Sequence, residues 1–235
     1  RQAQSSRIVM NAHAINQGEF PDIRNRRSTD FKFIIEEDKE AIASKIVELV
    51  KDEVTSTYGY SASDIQVLTP MQKGEIGCGN LNNALQAALN TSEICLTRGG
   101  CSFKVGDRVM QMRNNYKKSV FNGDLGYIES IDTEDKILKV NFDGDLVEYE
   151  ASELDELTLA YACTIHKSQG SEYPVVIMPV SMSHYIMLQR NLIYTGLTRA
   201  KKLCIMIGTR QALGCAIRNM AVLKRNTMLK DRLRG

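Results

Sequence analysis

The sequence contains no tryptophan, only four prolines and six cysteines among its 235 residues. None of the cysteines forms a Cys-x-x-Cys pair, which argues against a zinc site and makes reduced thiols the expected state. No apolar run approaches the ~18 residues that a membrane-spanning helix needs. These absences exclude a disulfide-stapled secreted fold and an integral membrane protein, and they favour a globular protein in a reducing compartment.

The motifs of a complete nucleotide-hydrolysing site are also missing. A phosphate-binding loop needs Gly-x-x-x-x-Gly-Lys-Ser/Thr, and no Gly-Lys dipeptide occurs anywhere in the chain. Asp52-Glu53 lies in a helical pattern and Asp155-Glu156 in an acidic turn, so neither resembles a Walker B carboxylate at the end of an apolar strand. With three histidines and no Gly-x-Ser-x-Gly, a hydrolytic triad has no sequence support either.

Charge is nearly balanced overall, with a formal net charge of +2, but it is unevenly distributed. Residues 129–156 contain eleven acidic and two basic residues, whereas residues 190–235 contain eleven basic residues and one acid. The acidic stretch is most simply a solvated face. The basic stretch creates a local positive potential, so we expect it to face an anion such as phosphate.

An α/β alternation organises most of the chain. A strand at 31–35, a helix over 36–54, a strand at 64–70 and a helix over 80–89 predict a parallel sheet with helices on both faces. After Leu157 the same rhythm returns. It predicts helices over 159–169 and 188–197, strands at 175–178 and 203–207, and a basic helical tail from Gln211.

Between these parts the pattern changes to short strands with turns. The segment from Cys101 to about Glu156 has almost no helical periodicity, and Asp143-Gly144-Asp145 is a strong signal for a β-hairpin. About fifty residues of this kind indicate a small β-barrel. The sequence therefore predicts a β-module inserted into one α/β domain, which divides the chain into 1–100, 101–156 and 157–235.

Polar chemistry concentrates in three segments. In 164–174, Thr-Ile-His-Lys-Ser-Gln-Gly-Ser-Glu-Tyr-Pro precedes a fully apolar strand, and Gly170 lets the backbone approach a ligand. In 194–202, Arg199 has the fork geometry that binds phosphate oxygens, although a cation offsetting a helix dipole is an equally simple reading. Residues 108–126 mix cations, amides and one stackable ring, Tyr116, which suits single-stranded nucleic acid; a solvated loop is the alternative.

These segments resemble the C-terminal part of RecD/TraA-type superfamily 1 DNA helicases, which move along single-stranded DNA in the 5′ to 3′ direction. Residues 164–174 resemble motif V, and 194–202 resemble motif VI with its Leu-Thr-Arg-Ala core. Residues 67–74 resemble the segment between motifs IV and V, and Arg1-Gln2-Ala3 the end of a Phe-Arg-Gln motif IV. The resemblance implies a RecA-like parallel-sheet motor domain (domain 2A) with an inserted small SH3-like β-barrel (domain 2B).

The family also implies roles for individual residues. The catalytic residues would be two arginine fingers, Arg1 and Arg199, and the nucleotide-binding residues would be Gly170, Glu172 and Arg199. The DNA-binding residues would be Thr69, Thr164, His166, Lys167, Asn114 and Asn115. ATP with Mg²⁺ would be bound mainly by a first motor domain that is not in this sequence, and the segment itself would hold no metal.

From the same resemblance we expect a cytoplasmic, bacterial-type protein. Its partners would be single-stranded DNA, ATP, the N-terminal motor domain of the same chain and, if the parent works in DNA repair or recombination, subunits of a nuclease complex. The sequence begins without an initiator Met, which indicates a segment of a longer protein, and alone it should hydrolyse ATP negligibly. Two alternatives remain, a single-stranded DNA-binding module and a protein-interaction module.

Overall fold

The computed structural model of the protein describes residues 6–26 and 29–220. Arg1, and the part of the basic tail beyond Met220, lie outside the described residues. The strands are β1 (Phe31–Ile35), β2 (Ile65–Thr69), β3 (Cys95–Arg98), β4 (Cys101–Lys104), β5 (Arg108–Gln111), β6 (Leu125–Asp132), β7 (Ile137–Phe142), β8 (Asp145–Glu150), β9 (Leu157–Leu159), β10 (Ala162–Thr164), β11 (Tyr173–Val180) and β12 (Ala200–Gly208). The α-helices are α1 (Arg7–Gln17), α2 (Lys39–Glu48), α3 (Val54–Tyr58), α4 (Cys78–Leu89), α5 (Arg190–Leu197) and α6 (Arg210–Arg218).

The larger sheet is entirely parallel and has the strand order β1-β12-β11-β2-β10. Its central strand β11 is buried along nearly its whole length. Val176 and Met178 belong to the hydrophobic cluster on one face of the sheet, and Val175 and Ile177 belong to the cluster on the other. The uninterrupted apolar run of this strand is therefore explained by burial on both faces, as is usual for parallel sheets.

Helices cover both faces of this sheet. The first cluster takes in apolar residues of α1, α5 and α6, including Ile15, Ile193 and Leu213, while the second takes in residues of α2 and α4, including Ile46 and Leu85. The predicted α/β class with a parallel sheet is confirmed. In α1, α2 and α4 the buried apolar residues recur at intervals of three or four, and this spacing places them on the face that meets the sheet.

Strands β5 to β9 form a separate antiparallel sheet with the order β8-β7-β6-β5-β9. We call this sheet, together with the hairpin of β3 and β4, the β-module. It has its own core, in which Phe103, Val140 and Tyr149 are fully or almost fully buried. The predicted hairpin turn is confirmed, because Asp143 and Gly144 have positive φ angles of 51° and 105° between β7 and β8.

A buried carboxylate joins the β-module to the parallel-sheet domain. Asp107 is fully buried and accepts hydrogen bonds from Gln86 and Asn90 of α4 and its C-cap, from the Lys104 amide and from the Tyr161 hydroxyl. These donors come from both parts of the molecule. Their shared acceptor fixes how the two parts are oriented relative to one another.

The helix predicted over residues 159–169 is wrong. Leu159 ends β9 in the β-module, Ala162–Thr164 forms β10 at the edge of the parallel sheet, and a compact turn follows. The side chain of Asn82 accepts from the Ala162 amide and donates to the Leu159 and Ala162 carbonyls. Tertiary hydrogen bonds of this kind stabilise extended backbone at a place where local spacing favours a helix.

Candidate functional site

The turn that follows β10 is folded by its own backbone. The carbonyl of Thr164 accepts from the amides of Lys167 and Ser168, at 2.9 and 3.2 Å, and the buried Ser168 hydroxyl donates to the Ile165 carbonyl. Gly170 has a φ of +89°, a conformation that side-chain-bearing residues rarely adopt. His166 is exposed and Lys167 half-buried. The turn thus presents both of these predicted DNA-binding residues on a fixed backbone.

Arg199 lies where β12 begins, beside the start of β11. Its Nη1 donates to the Ser171 carbonyl at 2.9 Å, its Nε to the Thr195 carbonyl at 3.2 Å and its Nη2 to the Thr198 hydroxyl at 3.4 Å. The Tyr173 amide in turn donates to the Arg199 carbonyl. We call this end of the parallel sheet the amino edge. The half-buried guanidinium is held there by neutral acceptors, and within residues 6–26 and 29–220 no ion pair joins it to a carboxylate.

Two further predicted nucleotide-binding residues lie at the amino edge. Gly170 and Glu172 immediately precede β11, and Glu172 is exposed and forms an ion pair with Lys201 at 3.1 Å. The structure therefore brings Gly170, Glu172 and Arg199 into one neighbourhood.

Thr69 and Thr164 lie at the opposite end of the sheet, where β2 and β10 finish in register with one another. We call this end the carboxyl edge. Thr164 is half-buried, but Thr69 has no exposed surface and its hydroxyl donates to the Ile76 carbonyl at 2.7 Å. The structure does not bring the Thr69 side chain to the surface with the other predicted DNA contacts. In this fold it closes the loop between β2 and α4.

Lys167 connects the carboxyl edge to the β-module. Its Nζ lies 2.8 Å from the sulfur of Met112, which directly follows β5. Burial lowers the pKa of Lys167 below its ordinary value, although the nearby Cys163 and Cys78 thiols act in the opposite direction. The next residue after Met112 is Arg113, which opens the loop containing Asn114 and Asn115. The predicted DNA contacts in the turn and in the β-module are therefore neighbours.

A nearly buried carboxylate organises the loop after Met112. Glu156 accepts from Gln111 at 2.8 Å, Arg113 at 3.0 Å and Asn115 at 3.2 Å. Burial raises the pKa of Glu156, but these hydrogen bonds and the Arg113 charge outweigh it, so the net pKa lies below the usual value. Asn115 is thus used partly in bracing the loop. Asn114 is exposed, and its Oδ1 accepts from the Asn122 amide.

The amino and carboxyl edges are separated by the length of the strands. Thr164 is paired with Thr69 of β2. Continuing the register between β2 and β11 places Thr69 at the level of Pro179, so Thr164 lies six residues of β11 beyond Tyr173. At ~3.3 Å per residue the separation is roughly 20 Å. The predicted nucleotide residues and the predicted DNA residues therefore occupy two places, which the segment from Thr164 to Glu172 connects.

Sequence reasoning missed the supporting residues of both places. Glu156 was grouped with the acidic run, and nothing in its sequence context separates it from its exposed neighbours. Met112 acts through its thioether and Ser171 through its backbone carbonyl, and no sequence motif identifies either contact. Within residues 6–26 and 29–220, no three His, Cys, Asp or Glu side chains are grouped as a metal site requires. In the same residues, no helix is both long enough and apolar enough to span a bilayer.

Comparison with protein families gives two matches. Residues 81–142 match the SH3 domain of ATP-dependent RecD-like DNA helicases, and residues 159–207 match the UvrD-like helicase C-terminal domain. The first match covers much of the β-module. The second contains the β10 turn, Arg199 and most of β12.

Individual relatives agree with these matches. The chain is 36% identical over 235 residues to the ATP-dependent RecD2 DNA helicase of Deinococcus radiodurans, covering all of this chain and 31% of the relative. It is 29% identical over 140 residues to the RecBCD enzyme subunit RecD of Haemophilus influenzae, covering 60% of this chain and 21% of that protein. The chain therefore spans less than a third of the length of these relatives.

Solved structures show the same fold at low identity. The Pif1 helicase from Bacteroides, solved in complex with ADP-AlF3 and single-stranded DNA, aligns with a TM-score of 0.55 at 17% identity over 98% of this chain and 54% of that one. The Candida albicans Pif1 helicase aligns with a TM-score of 0.51 at 16% identity, over 88% of this chain and 55% of that one. Together with the sheets described above, these matches confirm a RecA-like domain with an inserted SH3-like barrel.

Proposed function

We propose that this chain, which has the sequence motifs and the fold of the C-terminal part of a RecD-like superfamily 1 DNA helicase, works as the second half of an ATP-driven motor on single-stranded DNA. In this proposal the amino edge faces ATP held by a P-loop domain, and the carboxyl edge and the neighbouring loop of the β-module face DNA. The direction of movement, 5′ to 3′, is carried over from the family.

The amino edge fits the polyphosphate of a nucleotide. The guanidinium of Arg199 is held by a hydroxyl and backbone carbonyls, so its charge remains available to stabilise the negative charge that develops on a transferring phosphoryl group. Gly170 and Glu172 lie in the same neighbourhood. We assign Glu172 to the sugar of the nucleotide and Gly170 to the close approach of the backbone to it. Arg1 is proposed as a second finger from the family pattern alone. The magnesium ion is assigned to the P-loop domain, whose hydroxyl and carboxylate ligands suit it.

The carboxyl edge fits a DNA backbone. Thr164, the exposed His166 and the half-buried Lys167 offer a hydroxyl, an imidazole and a cation, and the amides of Asn114 and Asn115 follow across the Met112 contact. Contacts of this type bind phosphates without reading sequence. We assign Thr69 an indirect role, since its hydroxyl holds the loop before α4.

The observation that carries the proposal is that one segment, Thr164 to Glu172, lies against both edges. Its first residues form the turn that contacts Met112, and its Ser171 carbonyl accepts from Arg199. A shift of Arg199 towards a phosphate would break or move the bond to Ser171. Because the turn is closed by its own backbone bonds, that movement would be passed on to Lys167 and so to the DNA contacts.

The test is DNA-stimulated ATP hydrolysis by the motor that contains both domains. We expect Arg199→Ala to lower turnover by about 10³-fold while nucleotide binding is retained, the size expected of an arginine finger. Arg98→Ala, at an exposed position on β3, is the matched control and should leave turnover unchanged. Near-normal turnover of Arg199→Ala would make motif VI structural and would favour a DNA-binding module without ATPase coupling.

The 235-residue chain on its own gives a second test. It contains no phosphate-binding loop, so with ATP and single-stranded DNA we expect no hydrolysis above background but measurable DNA binding. Clear DNA-stimulated hydrolysis by the pure chain would contradict the proposed division of labour between the two domains.

A further inference from the structure

Two exposed aromatic rings stand on the loop between β5 and β6. Tyr116 is 77% exposed and Phe121 is 46% exposed, and their ring centroids lie 6.0 Å apart in an edge-to-face arrangement with an interplanar angle of 75°. Val120, which lies between them in sequence, is buried in the core of the β-module. Val120 therefore anchors the loop, and the core does not explain why the two rings are aromatic.

The loop that bears the rings is held firmly. Asn115 and Val120 form a backbone bridge with N–O distances of 2.8 and 3.2 Å, and the Phe121 amide donates to Asp124 at 2.7 Å. Glu156 braces the beginning of the loop through Asn115. A ring on a rigid loop loses little conformational entropy when a ligand covers it, so the loop is pre-organised for binding.

The surroundings favour a nucleic-acid base over an apolar peptide. Lys117 is exposed next to Tyr116, and the loop begins at Met112, which touches Lys167 of the proposed DNA-binding turn. Exposed rings beside cations are the usual platform for single-stranded nucleic acid, because every base has a face that can stack. Three acids of the segment from Glu129 to Glu156 do reach this loop, but they form ion pairs with its cations: Asp155 and Glu156 with Arg113, and Glu153 with Lys118. Their charges are therefore offset at the loop.

We propose that Tyr116 and Phe121 form a stacking platform for one base of the single-stranded DNA that crosses the carboxyl edge. This inference rests on the proposed function, because it places the base on a strand already bound at Lys167. It adds a binding role to two residues of the β-module. The β-module would then form a second contact with the DNA strand, and the Lys167–Met112 contact links it to the turn after β10.

The experiment measures binding of the 235-residue chain to an oligo-dT of about 12 nucleotides, a length within the range of such sites, carrying one 2-aminopurine. The fluorescence of 2-aminopurine falls when the base stacks on a ring. We expect Tyr116→Ala and Phe121→Ala to raise Kd by about 5- to 150-fold, the range that loss of one stacked base produces, and to abolish the quenching at one probe position. Tyr116→Phe keeps the ring and should retain both affinity and quenching.

Matched variants separate the possible outcomes. Tyr127→Ala removes a 42% exposed ring from β6 of the same barrel and should change neither Kd nor quenching. If Lys167→Ala weakens binding but the two ring variants do not, and no probe position is quenched, the stacking platform is refuted while the proposed DNA-binding edge stands. If the wild-type chain binds no DNA at all, both proposals fail. Equal melting temperatures of the variants exclude misfolding, which the exposure of Tyr116 makes improbable.

Discussion

The side-chain nitrogen of Lys167 lies 2.8 Å from the sulfur of Met112, although 55 residues separate them in sequence. Lys167 belongs to the turn that leaves the parallel sheet, and Met112 directly follows strand β5 of the β-module. The contact therefore joins the two parts of the molecule at the edge that we assign to DNA. A thioether is a weak acceptor, so it leaves the Lys167 cation available for a phosphate.

The first prediction concerns the charge of Lys167. Lys167→Ala should weaken binding of single-stranded DNA of any sequence, because a phosphate contact carries no base information. The slope of log Kobs against log salt concentration should become shallower by about 0.7, the value for one phosphate on a single strand. Lys51→Ala, at an exposed position in the π-helical segment Leu49–Glu53 between α2 and α3, should leave the slope unchanged. An unaltered slope in Lys167→Ala would remove this residue from the DNA contacts.

A second prediction tests the junction between the two parts of the molecule. Asp107→Ala removes one acceptor each from the side chains of Gln86 and Asn90 and from the Tyr161 hydroxyl. Each buried donor left unsatisfied costs about 1–3 kcal/mol, so we expect a loss of at least about 3 kcal/mol in the free energy of unfolding. Urea titration gives this value. Asp145→Ala, at the exposed start of β8, is the control and should cost less than about 0.5 kcal/mol.

The pH dependence of stability provides a third prediction. His184 is 2% exposed, and burial lowers its pKa from 6.5 to about 4. Because the folded state holds this histidine neutral, the unfolded state binds more protons between these two pKa values, and stability must fall as the pH is lowered through that window. From pH 7 to pH 5 the expected loss is about 2 kcal/mol.

Substitution of histidines isolates this effect. His184→Leu should remove most of the pH dependence between pH 7 and 5, whatever its effect on stability at neutral pH. His13→Gln changes an exposed histidine and should preserve the dependence. Unfolding free energies from urea titration at several pH values distinguish these cases, and an unchanged pH profile in His184→Leu would show that other groups are responsible.

Parts of the structure that depend on local pattern were predictable. The apolar run of β11 indicated a strand buried on both faces, and Asp143-Gly144 indicated a tight hairpin, because each signal is complete within a few residues. The motif residues Gly170 and Arg199 were identified as candidates from the sequence. Their joint position at the amino edge follows from the parallel order of β11 and β12, which places the starts of both strands side by side.

Other parts depend on contacts distant in sequence. The segment 159–169 was predicted as a helix, but Asn82 and the neighbouring strands hold its first half in extended form. Thr69 was predicted to touch DNA, and only the three-dimensional structure reveals that its hydroxyl is enclosed by the loop ending at Ile76. Glu156 is one acid among many in sequence, and it becomes distinctive only where Arg113 and Asn115 converge on it.

The last prediction concerns Gly196, which lies inside the motif VI helix α5. A Cβ at this position would be 2.6 Å from the sulfur of Met178, which is fully buried in β11. Gly196→Ala must therefore push α5 away from the sheet or displace Met178, at a cost of about 1–3 kcal/mol that outweighs the helix propensity of alanine, about 1 kcal/mol.

Gly79→Ala in α4 supplies the matched control. A Cβ at Gly79 would meet its nearest neighbour, the Gln72 carbonyl, at an ordinary 3.6 Å, so this variant should be unchanged or up to about 1 kcal/mol more stable. Because Arg199 follows α5 and its Nε bonds to the Thr195 carbonyl, displacement of the helix should also lower DNA-stimulated ATP hydrolysis in the two-domain motor. If Gly196→Ala were as stable and as active as wild type, close packing of α5 on β11 would not be what positions Arg199.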